Sequence, residues 1–456
     1  MIKRRFWIGK KVLITGHTGF KGGWLSLWLK YLGAKIIGYS LNPITKKNFF
    51  NSTKLKKIFY KDFRKNIKST KDLTKCIDSS RPQIIFHLAA QPQVLESYNQ
   101  PLDTVNTNVV GTANLLEIVR KRKFIKAVVI ITTDKVYKNI NKNIKFKENS
   151  ALGGDDVYSA SKASADILTL SYAKSFFNKT SNLATARAGN CIGGGDWTKF
   201  RILTDSVNAF YNKKKLILRN PFYKRPWQHV LEPLAGYILL VQKMYGKRGS
   251  NFSGAWNFGP SGKNHLTVYQ FVKLFKKKMN SVSKIILLNI KDKREKTTLD
   301  LNSKKAKKLL GWKPLLNIDK TLSLTADWYL ANKRKNNMLN FSLDQLQSYT
   351  NLINKYKKKW NVEIVKKKKF LLISKIGKQP ISSIFLKKKK YIKNYSLNLF
   401  QCKFCNLIQL SKIPSLKDMY GPEYGYKTSV SNLMVNHLKK KFDWIKKLKV
   451  LKKNPN

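Results

Sequence analysis

Three glycines, Gly16, Gly19 and Gly22, fall between two short β-branched runs in KVLITGHTGFKGGWLSLWLKYLGAKIIGYS. Few stretches constrain a fold as tightly. KVLIT and KIIGYS have strand composition, and the apolar segment between them is long enough for three helical turns, which makes a β-α-β unit. The pattern then repeats. PQIIFHLAA and KAVVIITTD are strand candidates separated by the helical NTNVVGTANLLEIVRKRK, and NLATARAGN follows another long helix. Regular alternation predicts an α/β fold, a doubly wound parallel sheet of Rossmann type with helices on both faces.

Glycines placed after a first strand and at the mouth of a helix leave bare backbone where a pyrophosphate can approach, and the helix N–H groups can bind it. A tight turn that merely needs glycine for its backbone angles is the plain alternative. The second strand ends IIGYSLNP, with neither the acidic residue that pairs with an NAD ribose nor an Arg for a 2′-phosphate.

After about residue 190 the order loosens into Gly, Pro and aromatic clusters such as CIGGGDW and RNPFYKRPW, where substrate loops belong. Three regions are expected: a nucleotide-binding core over 6–190 with later segments interleaved, a smaller substrate-binding lobe mainly over 191–358, and a short tail domain over 359–456. The tail begins where lysine runs at Lys366 to Lys369 and Lys387 to Lys390 flank strand-like pieces.

Against 24 Asp and Glu stand 91 Lys and Arg, a formal net charge of +67. Lysine is spread through every segment and no recognition motif accompanies it, so the charge is expected to be a solvated surface and not a nucleic-acid footprint. It still favours an anionic substrate. The four cysteines, Cys76, Cys191, Cys402 and Cys405, are too few and scattered for a secreted disulfide framework, which fits a reducing cytoplasm. The basic start MIKRRFWIGKKVLITG lacks the apolar length and small-residue cleavage site of a signal peptide, and no segment is long and apolar enough to span a bilayer.

The segment VYSASKAS puts Tyr158 and Lys162 one helical turn apart, on the same face. An ammonium beside a phenol favours the phenolate, which makes Tyr158 a base near neutral pH; an ordinary exposed helix pair is the alternative. The weight shifts toward chemistry with ITTDKVY, because carboxyl ends of parallel strands face the ligand crevice. There Thr133 is placed to hydrogen-bond a reacting oxygen. Asp134 and Lys135 add an acid and a second amine, and two extra titratable groups imply a second chemical step after dehydrogenation.

The motifs TGHTGFKGGWLSLWL, HLAAQPQV, TTDKVY, GGDDVYSASKASA, ARAGNCIGGGDW and RPWQHVLEPLAGY resemble those of the CDP-glucose 4,6-dehydratases, a family of extended short-chain dehydrogenases/reductases, over residues 6 to 355. The resemblance implies NAD as cofactor, a nucleotide sugar (CDP-glucose) as substrate, and a role in deoxysugar and lipopolysaccharide O-antigen biosynthesis. Related epimerases usually lack the Asp after the catalytic Thr, and the dTDP-glucose and GDP-mannose dehydratases usually have Glu where this chain has Lys135. Tyr158, with Thr133 and Lys162, would take the 4-hydroxyl proton, Asp134 would protonate the departing 6-hydroxyl, and Lys135 would be either the C5 base or a stabiliser of the enolate. Cofactor contacts would fall on Gly16, Gly19, Phe20, Gly22, Asp62 after the third strand, His87, Leu88, Ala89, Ala90 and Asn108, besides Tyr158 and Lys162. For the substrate pyrophosphate, charge-assisted contacts are expected from Asn190, Arg201 and Arg225, with Arg294 and Glu295 covering the nucleotide. QPQVLESY departs from the family, with Leu95 and Glu96 where basic residues are usual. The resemblance also implies a homodimer formed through the helices that carry Asn108 and Tyr158.

The tail segment LFQCKFCNLIQLSKIPSLKDMYGPEYGYKTSVSNLMVNHL is similar to the zinc-binding N-terminal region of sugar C-methyltransferases. Cys402 and Cys405 have ligand spacing, but a tetrahedral site needs four ligands, and only His437 offers a further one. No metal site is expected, and the tail is read as a remnant.

Overall fold

The computed structural model describes residues 2–138, 144–177, 182–246, 248–260, 264–288, 299–362, 370–380, 394–402, 408–410 and 436. The chain divides into two compact units, residues 1–355 and 356–456.

In the first unit seven strands form one parallel sheet: β1 (Lys11–Thr15), β2 (Lys35–Ser40), β3 (Lys61–Arg64), β4 (Ile84–His87), β5 (Ala127–Ile131), β6 (Asn182–Ala188) and β7 (Gly254–Phe258). Their spatial order is β7-β6-β5-β4-β1-β2-β3, so the order in which strands are added switches sides between β1 and β4. Every pairing is parallel. Successive side chains point to opposite faces, and both faces are covered. Leu13, Ile85, Val128 and Ile130 pack with Leu73, Ile77, Leu115 and Leu116 on one side. Val12, Ile14, Phe86 and Val129 pack with Trp24, Leu25, Trp28 and Ile238 on the other. The last strand, β7, comes from far down the chain and pairs β6 along its whole length.

Helix α1 (Phe20–Tyr31) is buried from Gly22 to Leu29. Two glycines in its first turn sacrifice helix propensity, of order 1 kcal/mol each, and in return allow backbone contact. A Cβ on Gly22 would stand 2.2 Å from the Gly16 carbonyl oxygen, and one on Gly23 2.6 Å from the Phe49 ring. Helix α2 (Thr70–Ser80) is capped by the Ser69 hydroxyl, which accepts from Asp72 N–H. Helix α3 (Gly111–Arg120) continues a π-turn over Asn106–Val110, a local widening often found at functional positions. Helix α4 (Val157–Phe176) starts at Asp156, whose carboxylate accepts from Ser159 N–H at 2.8 Å, so Tyr158 is fixed in the first turn.

The chain after β6 adds short pairings: Lys224–Pro226 against His265–Thr267, Gln228–His229 beside Cys191–Ile192, and Leu216–Leu218 beside Ile285–Leu287. The second unit holds a three-stranded antiparallel sheet, Phe370–Pro380, Asn394–Cys402 and Ile408–Leu410. Cys402 ends its middle strand, opposite Phe370, while Cys405 and His437 lie outside the described residues. No helix among the described residues is long and apolar enough to cross a membrane.

Candidate active site

The carboxyl ends of β1, β4, β5 and β6 deliver the sequence-predicted residues to one place. At β1, Gly16 has φ +73°, a region where only glycine is unstrained. A Cβ there would meet Ala89 N at 2.7 Å. Thr15 ties the two strand ends together, its hydroxyl bonding His87 Nδ1 at 2.8 Å and accepting from Leu88 and Ala89 N–H at 3.2 and 3.1 Å. Gly19 caps α1 with no side chain over the helix terminus, and Phe20 is its first residue. A bare helix N-terminus next to a close-packed glycine turn matches a dinucleotide pyrophosphate in shape and polarity, so these residues fit an NAD site. Ala90 continues the same β4 exit, and Asn108 closes it: its side chain accepts from Gln91 N–H and donates to Gln91 O and to Ser161 Oγ at 2.9 Å.

Asp62 lies within β3, not after it as the sequence suggested. Its carboxylate is clamped between His17 Nε2 at 2.9 Å and Arg64 Nη2 at 2.7 Å, and these partners hold it below the usual carboxylate range despite burial.

Thr133, Asp134, Tyr158 and Lys162 are all at least nine-tenths buried. Thr133 follows β5 and donates to Asp134 Oδ1 at 2.9 Å. Burial pushes Asp134 above the usual carboxyl range, opposed by the Lys135 charge, the Thr133 hydroxyl, Lys21 and Arg225. The same desolvation pushes Tyr158 up to about 12, with the Arg201 guanidinium as the opposing charge. Lys162 was expected to depress that phenol. Instead its Nζ donates to Ile131 O at 2.9 Å, and burial, assisted by Lys21, lowers its own pKa to about 8. One of the three Lys162 donors thus holds the strand end, and the charge that opposes the Tyr158 shift is that of Arg201.

Arg201 is anchored by Asp196 at 2.8 Å and Arg225 lies on the Lys224–Pro226 strand; their influence on Tyr158 and Asp134 brings both near the catalytic cluster. Asn190 accepts from Gln228 N–H through its backbone oxygen at 3.2 Å. Arg294 and Glu295 lie outside the described residues.

Two residues in this cluster escaped the sequence reading. The Lys21 charge acts on Asp134, Lys162 and the Cys191 thiol. Cys191 in turn donates to Gly189 O at 3.2 Å. The available signal was FKGG itself, which puts a cation on the exposed terminus of α1 beside the glycines.

Residues 13–325 match the family model described as GDP-mannose 4,6 dehydratase. The chain is 41% identical over 355 residues to the CDP-glucose 4,6-dehydratase of Salmonella typhimurium strain LT2, spanning 76% of this chain and 98% of that protein. It is 32% identical over 219 residues to a dTDP-D-glucose 4,6-dehydratase of Dictyostelium discoideum, 45% of this chain and 49% of that one. Among solved structures, the dTDP-glucose 4,6-dehydratase of Bacillus anthracis in complex with NAD matches with a TM-score of 0.60 at 25% identity, over 73% of this chain and all of that chain. The UDP-glucose 4-epimerase of Thermotoga maritima, with a TM-score of 0.62 at 21% identity over 71% of this chain and 99% of that one, shares the fold.

Proposed function

This chain belongs to the GDP-mannose 4,6-dehydratase family, and from that premise we propose that its substrate is CDP-glucose and its product CDP-4-keto-6-deoxyglucose. It is an NAD-dependent nucleotide-sugar 4,6-dehydratase, a hydro-lyase. Bound NAD supplies the acceptor and later the donor of a single hydride, so the overall reaction is the loss of water.

The chain's own groups divide the remaining work in our reading. Tyr158 removes the proton of the sugar 4-hydroxyl, with Thr133 holding that oxygen and Arg201 lowering the cost of the phenolate. A ketone at C4 acidifies the C5 hydrogen, and Lys135 either takes that proton or steadies the enolate. Asp134 gives its proton to the departing 6-hydroxyl. Asp134 carries the dehydration reading: a carboxyl buried beside the Thr133 hydroxyl, with its pKa displaced upward by that burial, is favoured in the protonated form from which an elimination draws. Arg225 and Arg201, with Asn190, bind the substrate pyrophosphate, and Asp62 faces the adenosine end.

Lys135 and the 41% identity to the Salmonella enzyme support the cytidine sugar. Residues 6–190 would hold the cofactor, 191–358 the sugar nucleotide, and 359–456 would be a methyltransferase-like remnant. Exposed Leu102, Val105, Val110 and Ile167 on the helices around Asn108 and Tyr158 support a homodimer. We place the enzyme in the cytoplasm, in deoxysugar supply for O-antigen, with neither nucleic acid nor membrane as partner.

The test is turnover with NAD+ and CDP-, dTDP-, UDP- or GDP-glucose in parallel. A 4-keto-6-deoxy product from CDP-glucose alone is expected; preference for another base overturns the substrate, and no product with any overturns the reading.

A further inference from the structure

Asp166 and Arg187 form an ion pair with side-chain exposures of 0% and 1%. Neither residue reaches the substrate side, yet their partners bracket the catalytic groups. Asp166 is one helical turn beyond Lys162 and two beyond Tyr158 on α4. Its Oδ2 accepts from Thr132 Oγ1 at 2.8 Å and Arg187 Nε at 2.9 Å, and its Oδ1 from Arg187 Nη2 at 2.7 Å and Thr185 Oγ1 at 3.1 Å. Arg187 Nη1 then donates to Tyr137 OH at 2.7 Å and to Glu148 O at 3.0 Å. The Tyr137 hydroxyl continues to Asn257 Oδ1 on β7 at 2.7 Å.

Thr132 immediately precedes the segment Thr133–Asp134–Lys135, and Tyr137 follows it by two residues. One buried pair therefore holds both flanks of that segment and the helix of Tyr158 and Lys162. A buried ion pair is weak as a source of stability, because desolvation offsets its attraction and an apolar pair of similar volume often does as well. What the fork supplies is direction: two parallel N–H bonds fix the carboxylate in a single orientation.

We propose that Asp166 and Arg187 are positioning residues of the dehydratase, a clasp that sets the reach between Thr133 and Asp134 at the end of β5 and Tyr158 on α4. The inference rests on the dehydratase reading, and its test separates the two. The double variant Asp166→Leu/Arg187→Met removes both charges together, so no unpaired buried ion remains. We expect a melting temperature near that of the parent, KM little changed, and kcat lower by about 100-fold, as for a displacement of roughly 1 Å at a reacting centre. In its crystal structure the Tyr158 phenol would be displaced relative to Thr133 by roughly 1 Å.

Tyr137→Phe, which keeps the ring stacked on Phe146 at 4.9 Å, tests the far flank without disturbing the pair. Thr132→Val should lower kcat and Thr132→Ser restore it. Parental kcat in the double variant overturns the clasp; should that variant not fold, parental kcat in both Tyr137→Phe and Thr132→Val does so. Should the parent turn over no sugar nucleotide, the dehydratase reading fails, and the Thr133–Tyr158 separation in the variants' crystal structures judges the clasp: unchanged from the parent, it refutes it.

Discussion

At the scale of single residues, burial favours the protonated form of both Tyr158 and Asp134, and the acceptor role proposed for Tyr158 leans on the Arg201 charge that opposes that shift. Tyr158→Phe removes the acceptor and should reduce turnover by about 10²- to 10⁴-fold in steady-state assays; a smaller loss would remove Tyr158 from that role. Asp134→Asn keeps the shape and removes the proton, so water loss should stop while solvent deuterium still enters C5, followed by NMR. Tyr158, Lys162, Thr133, Asp134 and Lys135 were legible because their spacing and strand-end position are local. Lys21, Cys191 and the action of Arg201 on Tyr158 were not, since each depends on where distant segments meet. The surroundings of Lys162 were only half local: helical spacing put it on the face of Tyr158, but its bond to the carbonyl of Ile131 comes from another element.

At the scale of elements, the glycine turn was readable because backbone sterics leave little choice. Gly22→Ala would drive a methyl into the Gly16 carbonyl, and calorimetry should find NAD+ affinity reduced by about tenfold or more. Parental affinity would contradict the close-packed turn. The helix Leu231–Met244 carries a different constraint, invisible in sequence. Glu232 is buried, accepts from Leu315 and Leu316 N–H and Tyr349 OH, and burial pushes its pKa up to about 7. The folded state thus retains a proton that the unfolded chain has already lost, so Glu232's contribution is full below the ordinary carboxyl pKa and declines as pH rises toward 7, by about 3 kcal/mol at most. Glu232→Gln should flatten this dependence, raising the melting temperature at pH 8 relative to the parent while leaving pH 5 nearly unchanged. An unchanged difference between the two pH values would show that the group does not titrate there. The placement of Asp62 inside β3 was misjudged because that strand, KDFR, is short and polar and gives little periodic signal.

At the scale of the whole molecule, the parallel sheet followed from alternating strand and helix patterns, whereas the return of β7 to the sheet edge could not be counted from local pattern. The charge of +67 acts over longer distances. It should draw in a sugar nucleotide, so KM should rise with ionic strength while kcat stays level. A flat KM would mean that the lysine surface takes no part in capture. Tyr158, Thr133, Lys162, Asp134 and Lys135 are proposed to act on one sugar around a hydride that leaves C4 and returns to C6 of the same molecule. CDP-glucose deuterated at C4 tests this most directly, with the product analysed by NMR and mass spectrometry. Deuterium in the new C6 methyl group, transferred within single molecules, is the predicted result; loss of the label to solvent, or its retention at C4, would contradict the account.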